Sequence, residues 1–225
     1  MEWYLSGSRI KAIVGHFGSG KTEIALNLAL LARERFARVT LADVDIVNPF
    51  FRSAEQKQLL VDHGVEVIHP SFALSAVDMP VLPAEIRSMF NRPEVFGILD
   101  VGGDPSGAAA LGGLWQEMQR EQADLWFVVN PFRPRSATLE LAMELLRGVE
   151  LRGRAKVTGL ISNPNLADLT GPEEILRGRE FCRALEQESG VPLIGEAGMA
   201  EAFHGVDDSV PRLVIKRRLK PEWMA

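Results

Sequence analysis

Apolar residues in this chain gather into short runs, and longer segments with helical spacing lie between them. Residues 10–14 form an apolar run that ends in Gly15. Behind it, Ile24, Leu28, Leu31 and Ala32 recur at three- and four-residue intervals, which predicts a helix over 23–37. The alternation continues to the end of the chain. Strands are predicted at 38–42, 65–68, 96–99, 125–129, 157–161 and 191–194. Helices are predicted at 53–63, 83–91, 111–121, 136–149 and 172–189. Ser53 with Gln56 forms a capping box, and Gly64 and Gly190 are stop signals. Strands alternating with helices imply an α/β fold in three layers, a mostly parallel sheet with helices on both faces. The stretch 69–83 carries three prolines and reads as a long connection inside one domain spanning 1–225.

Composition narrows the class. A chain of 225 residues can bury roughly 70% of its unfolded surface without staples. The apolar fraction of 46% and charged fraction of 24% are those of an ordinary globular protein. A net charge of −5 gives no footprint for nucleic acid. A single cysteine, Cys182, excludes an internal disulfide framework and a multi-thiolate metal site. It also suits a reducing, cytoplasmic setting. The opening Met1-Glu-Trp-Tyr-Leu-Ser lacks the basic and apolar regions of a leader, and no run is long enough to span a bilayer.

The chemistry concentrates at the end of the first strand. Gly15-His16-Phe17-Gly18-Ser19-Gly20-Lys21-Thr22 matches G-x-x-x-x-G-K-[ST], with a strand before it and a helix after it. The glycines let backbone N–H groups curl around phosphate oxygens, and the helix start adds its partial positive charge. Lys21 supplies a point charge against the β- and γ-phosphates, and the Thr22 hydroxyl suits the Mg²⁺ shell. Phe17, Ser19 and Glu23 complete the expected binding segment. A dinucleotide fingerprint also begins at Gly18-Ser19-Gly20, with Asp43 downstream. Its third glycine position holds Glu23, and it leaves Lys21 and Thr22 without a task.

In a parallel sheet, ligands sit beyond the carboxyl ends of the strands. Two predicted strands end there in acids, in Asp43-Val44-Asp45 and in Asp100-Val101-Gly102-Gly103-Asp104. Asp100 suits a carboxylate that orients metal-bound water. Gly103 would let backbone approach the γ-phosphate. Asp45 and Asp104 are the candidates for orienting an attacking water.

These segments, in this order, resemble the MinD/ParA/nitrogenase-iron-protein ATPases. Asp100 to Asp104 is similar to the iron protein's switch II. Thr158 to Asn163 is similar to the strand whose terminal Asn reads adenine, with Pro164 and Asn165 following. Glu196 to Met199 would be a second wall of the base pocket. The resemblance implies a deep sheet of seven or eight strands, ATP with Mg²⁺, slow hydrolysis and a nucleotide-dependent homodimer. It assigns Asp43 and Asp100 to Mg²⁺ waters, Asp45 to the nucleophile and residues 45–52 to switch I.

The sequence departs from that group in three places. The group carries a lysine at the second loop position, where this chain has His16. Cys182 alone cannot hold a bridging cluster. The basic tail, Arg212 to Lys220, reads as a last strand or packed tail rather than a membrane helix. A loop without the second lysine also resembles the metallochaperone GTPases. The four histidines, His16, His63, His69 and His204, have no ligand spacing, and Asn165-Leu-Ala-Asp168 lacks the lysine of N-K-x-D. A nucleotide-sensing module without turnover is the third reading.

Overall fold

The computed structural model describes residues 2–44, 54–69, 84–103 and 105–219. Among them, eight strands form one sheet: β1 (Ile10–Gly15), β2 (Arg38–Asp43), β3 (Val65–Ile68), β4 (Val95–Asp100), β5 (Asp124–Val129), β6 (Gly159–Ser162), β7 (Leu193–Gly198) and β8 (Arg212–Val214). Their order is β3-β2-β4-β1-β5-β6-β7-β8, and all seven pairings are parallel. The strand order reverses at β1, which has β4 on one side and β5 on the other. That reversal opens a crevice at its carboxyl end.

Helices α1 (Lys21–Arg33) and α2 (Ala54–Asp62) lie on one face of the sheet. On the other lie α3 (Ala84–Phe90), α4 (Pro105–Gly112), α5 (Trp115–Arg120), α6 (Leu139–Gly153) and α7 (Pro172–Ser189). The pleat of β1 divides its side chains accordingly. Ile10, Ala12 and Val14 enter the larger core, and Ile13 enters the one under α1.

Among the described residues the α1 face has fewer helices, and residues 3–5 and 213–219 complete it. Trp3 packs at 5.6 Å from Trp126, and Ile215 joins the core there. Lys11 is fully buried on this side, 2.5 Å from Asp124 and over the Trp126 ring. Burial holds its pKa below the ordinary lysine value, and Asp124 opposes that shift.

The three-layer α/β reading holds, with boundaries adjusted. The helix expected at 111–121 is two helices, α4 and α5, separated at Gly113 and Leu114. The first helix begins at Pro105, ahead of the expected start, and its small residues serve close helix packing. A Cβ on Gly112 would lie 2.3 Å from the Arg152 carbonyl of α6. The helix expected from Ser136 starts at Leu139, because the Ser136 hydroxyl donates to the Asn130 carbonyl at 2.6 Å and Thr138 caps instead. The strand expected at 191–194 is β7, which runs on to Gly198. The capping residue Ser53 and residues 70–83 of the long connection lie outside the described residues. Among the described residues, no helix is long and apolar enough to cross a membrane.

Candidate nucleotide site

Strand β1 ends in Gly15, and its next residues turn back on themselves before α1. Ser19 N–H donates to the His16 carbonyl at 3.0 Å, closing the loop. Gly20, at φ +91°, is the residue from which α1 starts. A Cβ there would lie 2.1 Å from Nδ2 of Asn163, so the position needs glycine for both shape and space. Asn163 stands just after β6 and donates from Nδ2 to the Ser19 carbonyl at 2.6 Å, clamping the loop to the sheet. The first N–H groups of α1 have no intrahelical acceptor, as at any helix start, and the residues of this turn line the crevice.

The segment after β4 presses on this loop. A Cβ on Gly103 would lie 2.5 Å from the Phe17 nitrogen and 3.0 Å from Lys21 Nζ. Lys21 is buried there, with only 7% of its surface exposed. Asp43 and Asp100 occupy paired positions on β2 and β4, both buried at the carboxyl ends. Thr22, Lys21 and Asp100 line a common cavity of about 660 Å³, well within the size range of small-molecule sites.

These residues fit a phosphate-borne Mg²⁺. Among the described residues, no group of three or more His, Cys, Asp or Glu is arranged to hold a metal. A Mg²⁺ ion that keeps waters and phosphate oxygens would be held by the Thr22 hydroxyl and, through its waters, by Asp43 and Asp100 at their paired strand ends.

The other end of the cavity is more apolar. It is lined by Pro164, Asn165, Leu166 and Ala167 after β6, by Ala197, Gly198 and Met199 on and after β7, and by Ile215, Arg217 and Leu219 after β8. Asn130 at the end of β5 donates to the Asn165 carbonyl at 3.0 Å, and the Asn165 side chain accepts from Ala167 N–H at 2.7 Å. These bonds set the path of the first wall.

Most expected residues converge here. Gly15, Phe17, Gly18, Ser19, Gly20, Lys21, Thr22, Gly103, Asn163, Pro164, Asp43 and Asp100 surround or support one crevice. Glu23 also lines the cavity, but its carboxylate accepts from Arg218 N–H at 2.7 Å and Leu219 N–H at 3.1 Å. Burial raises its pKa above the ordinary carboxylate value, and those bonds partly offset the shift. Of the expected second wall, Ala197 to Met199 line the cavity. Glu196 does not; it is buried behind them and paired with Arg179 at 2.7 Å. Asp45, Asp104 and the switch segment 45–52 lie outside the described residues.

Two features escaped the sequence reading. Arg133, on the loop after β5, lines the cavity and donates from Nε to the Gly18 carbonyl at 3.1 Å. It stands three residues after Asn130 between two prolines, and nothing local in that stretch points to a partner on the phosphate loop. The tail after β8 forms a cavity wall. His16 shares the cationic surroundings of the loop. Burial first, then Arg135, Lys21 and Arg133, hold its pKa below the ordinary value, against a backbone hydrogen bond with Phe17 that favours the protonated ring. Cys182 is buried, and that burial pushes its thiol up to about 12.

The family model of the CobQ/CobB/MinD/ParA nucleotide binding domain matches residues 13–168. No curated protein matches the chain. Among solved structures, chloroplast FtsY from Physcomitrella patens is similar, at 18% identity and a TM-score of 0.55 over 85% of this chain and 58% of that one. Cell division protein FtsY from Thermotoga maritima gives 19% and 0.55, over 88% and 64%. The signal recognition particle receptor FtsY from Elizabethkingia anophelis, in complex with GDP, gives 19% and 0.53, over 85% and 58%. The chain thus spans about three fifths of these proteins, and the likeness is one of fold.

Proposed function

The chain belongs to the CobQ/CobB/MinD/ParA nucleotide-binding family, and on that premise we propose that it is a Mg²⁺-dependent nucleoside triphosphatase that turns over slowly and switches between nucleotide states. The observation that carries this reading is the clamped phosphate loop. Asn163 holds Ser19, Gly103 closes on Phe17, and Lys21 lies inside the crevice. Such a loop presents fixed N–H donors and one cation to a triphosphate without reorganising. Bound Mg²⁺ would supply neutralisation of phosphate charge, with Thr22, Asp43 and Asp100 as the residues to hold it and its waters. Asp45 or Asp104 would orient the attacking water. A nucleotide-dependent homodimer, closing where Phe17 stands 69% exposed beside the loop, belongs to the same reading.

The base identity has two supports that pull apart. The sequence pointed to ATP through Asn163 as an adenine reader. The Asn163 amide nitrogen is engaged with Ser19 instead, and one similar structure is an FtsY in complex with GDP. The first withdraws a support for adenine, and the second supports GTP.

The deciding experiment is thermal unfolding with Mg·ATP and Mg·GTP in parallel, with light scattering on the same samples. At 100 dissociation constants of ligand, stabilisation is about 2.7 kcal/mol, or roughly 5–10 °C for a chain of this size. One nucleotide is expected to give that shift, Lys21→Ala to remove most of it, and the scattering mass to double with the triphosphate form. No shift with either nucleotide overturns the reading. A shift without a mass change removes the homodimer alone.

A further inference from the structure

The nucleotide reading uses the phosphate loop and leaves the strap of residues 215–219 unexplained. That strap leaves β8 and crosses α1 next to the cavity. Two buried polar side chains of α1, Glu23 and Asn27, are one helical turn apart on the same face and both hold strap backbone. Asn27 Oδ1 accepts from Lys216 N–H at 2.9 Å, and its Nδ2 donates to the Lys216 carbonyl at 3.0 Å. Glu23 accepts from both Arg218 and Leu219. Burying a carboxylate is costly unless it is hydrogen-bonded, and here the strap's N–H groups satisfy it. The strap is thus fixed to the helix whose first turn carries Lys21 and Thr22.

Alternate strap residues then point to the cavity. Ile215, Arg217 and Leu219 line it, whereas Lys216 and Arg218 do not. Opposite stand Pro164, Leu166 and Ala167 of the loop after β6. Arg217 bridges the two sides, donating to Asp168 at 2.8 Å from a turn that follows that loop. Apolar side chains on facing walls with a few polar groups at the rim are what a planar aromatic base needs.

We propose that residues 215–219, clasped by Arg217 and Asp168, form the base-binding wall of the site and set affinity for a purine ring independently of the phosphates. The proposal rests on the nucleotide reading above and adds the element that recognises the base. It also gives Glu23 its task, which is to tie the base wall to the phosphate loop rather than to touch the nucleotide.

The test compares a ligand that has a base with one that lacks it. Wild type, Arg217→Ala/Leu219→Ala and Asp168→Asn are titrated by calorimetry with Mg·ATP, Mg·GTP and inorganic tripolyphosphate. Salt is held at about 0.15 M to screen the strap's cations. Asp168 is an exposed residue, so its variant removes the clasp without disturbing a core. The double variant is expected to lose about tenfold or more in affinity for the tighter nucleotide, the scale of one or two lost pocket contacts, while tripolyphosphate binding stays within twofold. Asp168→Asn should show the same asymmetry, more weakly. Equal losses for nucleotide and tripolyphosphate, or no loss for either, overturn the proposal. If wild type binds tripolyphosphate but neither nucleotide, the base wall fails while the phosphate site stands. If it binds none of the three, the nucleotide reading itself falls.

Discussion

At the phosphate end of the cavity, eight consecutive residues, Gly15 to Thr22, supply nearly all the chemistry. At the end proposed to take the base, the walls come from three segments, near residues 164–167, 197–199 and 215–219. The first is a local device. Its glycines, its cation and its helix start are adjacent in sequence because phosphate is recognised by backbone N–H groups in one tight turn. The second exists only after β6, β7 and β8 have taken neighbouring places in the sheet. A flat apolar ligand needs facing surfaces, and one short segment cannot face itself. Among the described residues the two ends are joined by the hydrogen bond from Asn163 to Ser19, by the Glu23 carboxylate and by Asn27, which holds Lys216.

The largest effect expected from breaking this arrangement comes at Gly20. Alanine there must adopt a left-handed backbone and drive its Cβ into the Asn163 amide. Left-handed strain and the lost buried hydrogen bond together cost about 2–4 kcal/mol, read as a lower urea midpoint. The double variant Gly20→Ala/Asn163→Ala removes the collision but keeps the strain. Its loss should therefore be smaller than the sum of the two single losses, the signature of contact between sites. Additive losses would mean that the clamp does not join the two ends.

This difference between the ends explains what could be read from the sequence. The P-loop, the strand–helix alternation and α7 were legible because each is set by neighbours in the chain. The placement of Asp43 and Asp100 side by side was legible because strand ends in a parallel sheet share one edge. The role of Glu23 was not. Next to Lys21 and Thr22 it looks like part of the phosphate site, and only the return of residues 218–219 shows where its carboxylate goes. Arg133 was missed for a similar reason, since its partner Gly18 is 115 residues away. Helix α4 was missed because glycine disfavours an isolated helix, whereas Gly112 is needed for contact with α6.

A smaller effect separates the two roles open to Asn163. Asn163→Ala removes a buried hydrogen bond to the loop, at a cost of about 1–2 kcal/mol. If the residue serves the phosphate end, affinity for tripolyphosphate and for the preferred nucleotide should fall together. If it reads the base, only the nucleotide should lose affinity. The donor bond of 2.6 Å to Ser19 favours the first outcome. A loss confined to the nucleotide would move Asn163 to the base end and restore the case for adenine.

The smallest expected effect is a pH dependence confined to the phosphate end. Arg135, Lys21 and Arg133 already place positive charge around His16, and burial adds to their effect. The folded protein therefore resists a proton there, and the imidazole pKa lies below its ordinary 6.5. The unfolded chain accepts that proton more readily. Stability linked to His16 is thus fully present above pH 6.5 and is lost as pH falls toward and through the folded value. His16→Gln keeps a neutral polar side chain and cannot take up a proton. Thermal melts of both proteins between pH 8 and pH 5.5 should coincide in slope at the alkaline end. Below pH 6.5 the wild type should fall more steeply. The ring is only partly buried, so screening by solvent keeps the difference small, which is why it is read as a divergence of two curves. Parallel curves throughout would mean that the loop's cations do not act on His16. The phosphate end would then be built from backbone geometry and Lys21, without a wider cationic field.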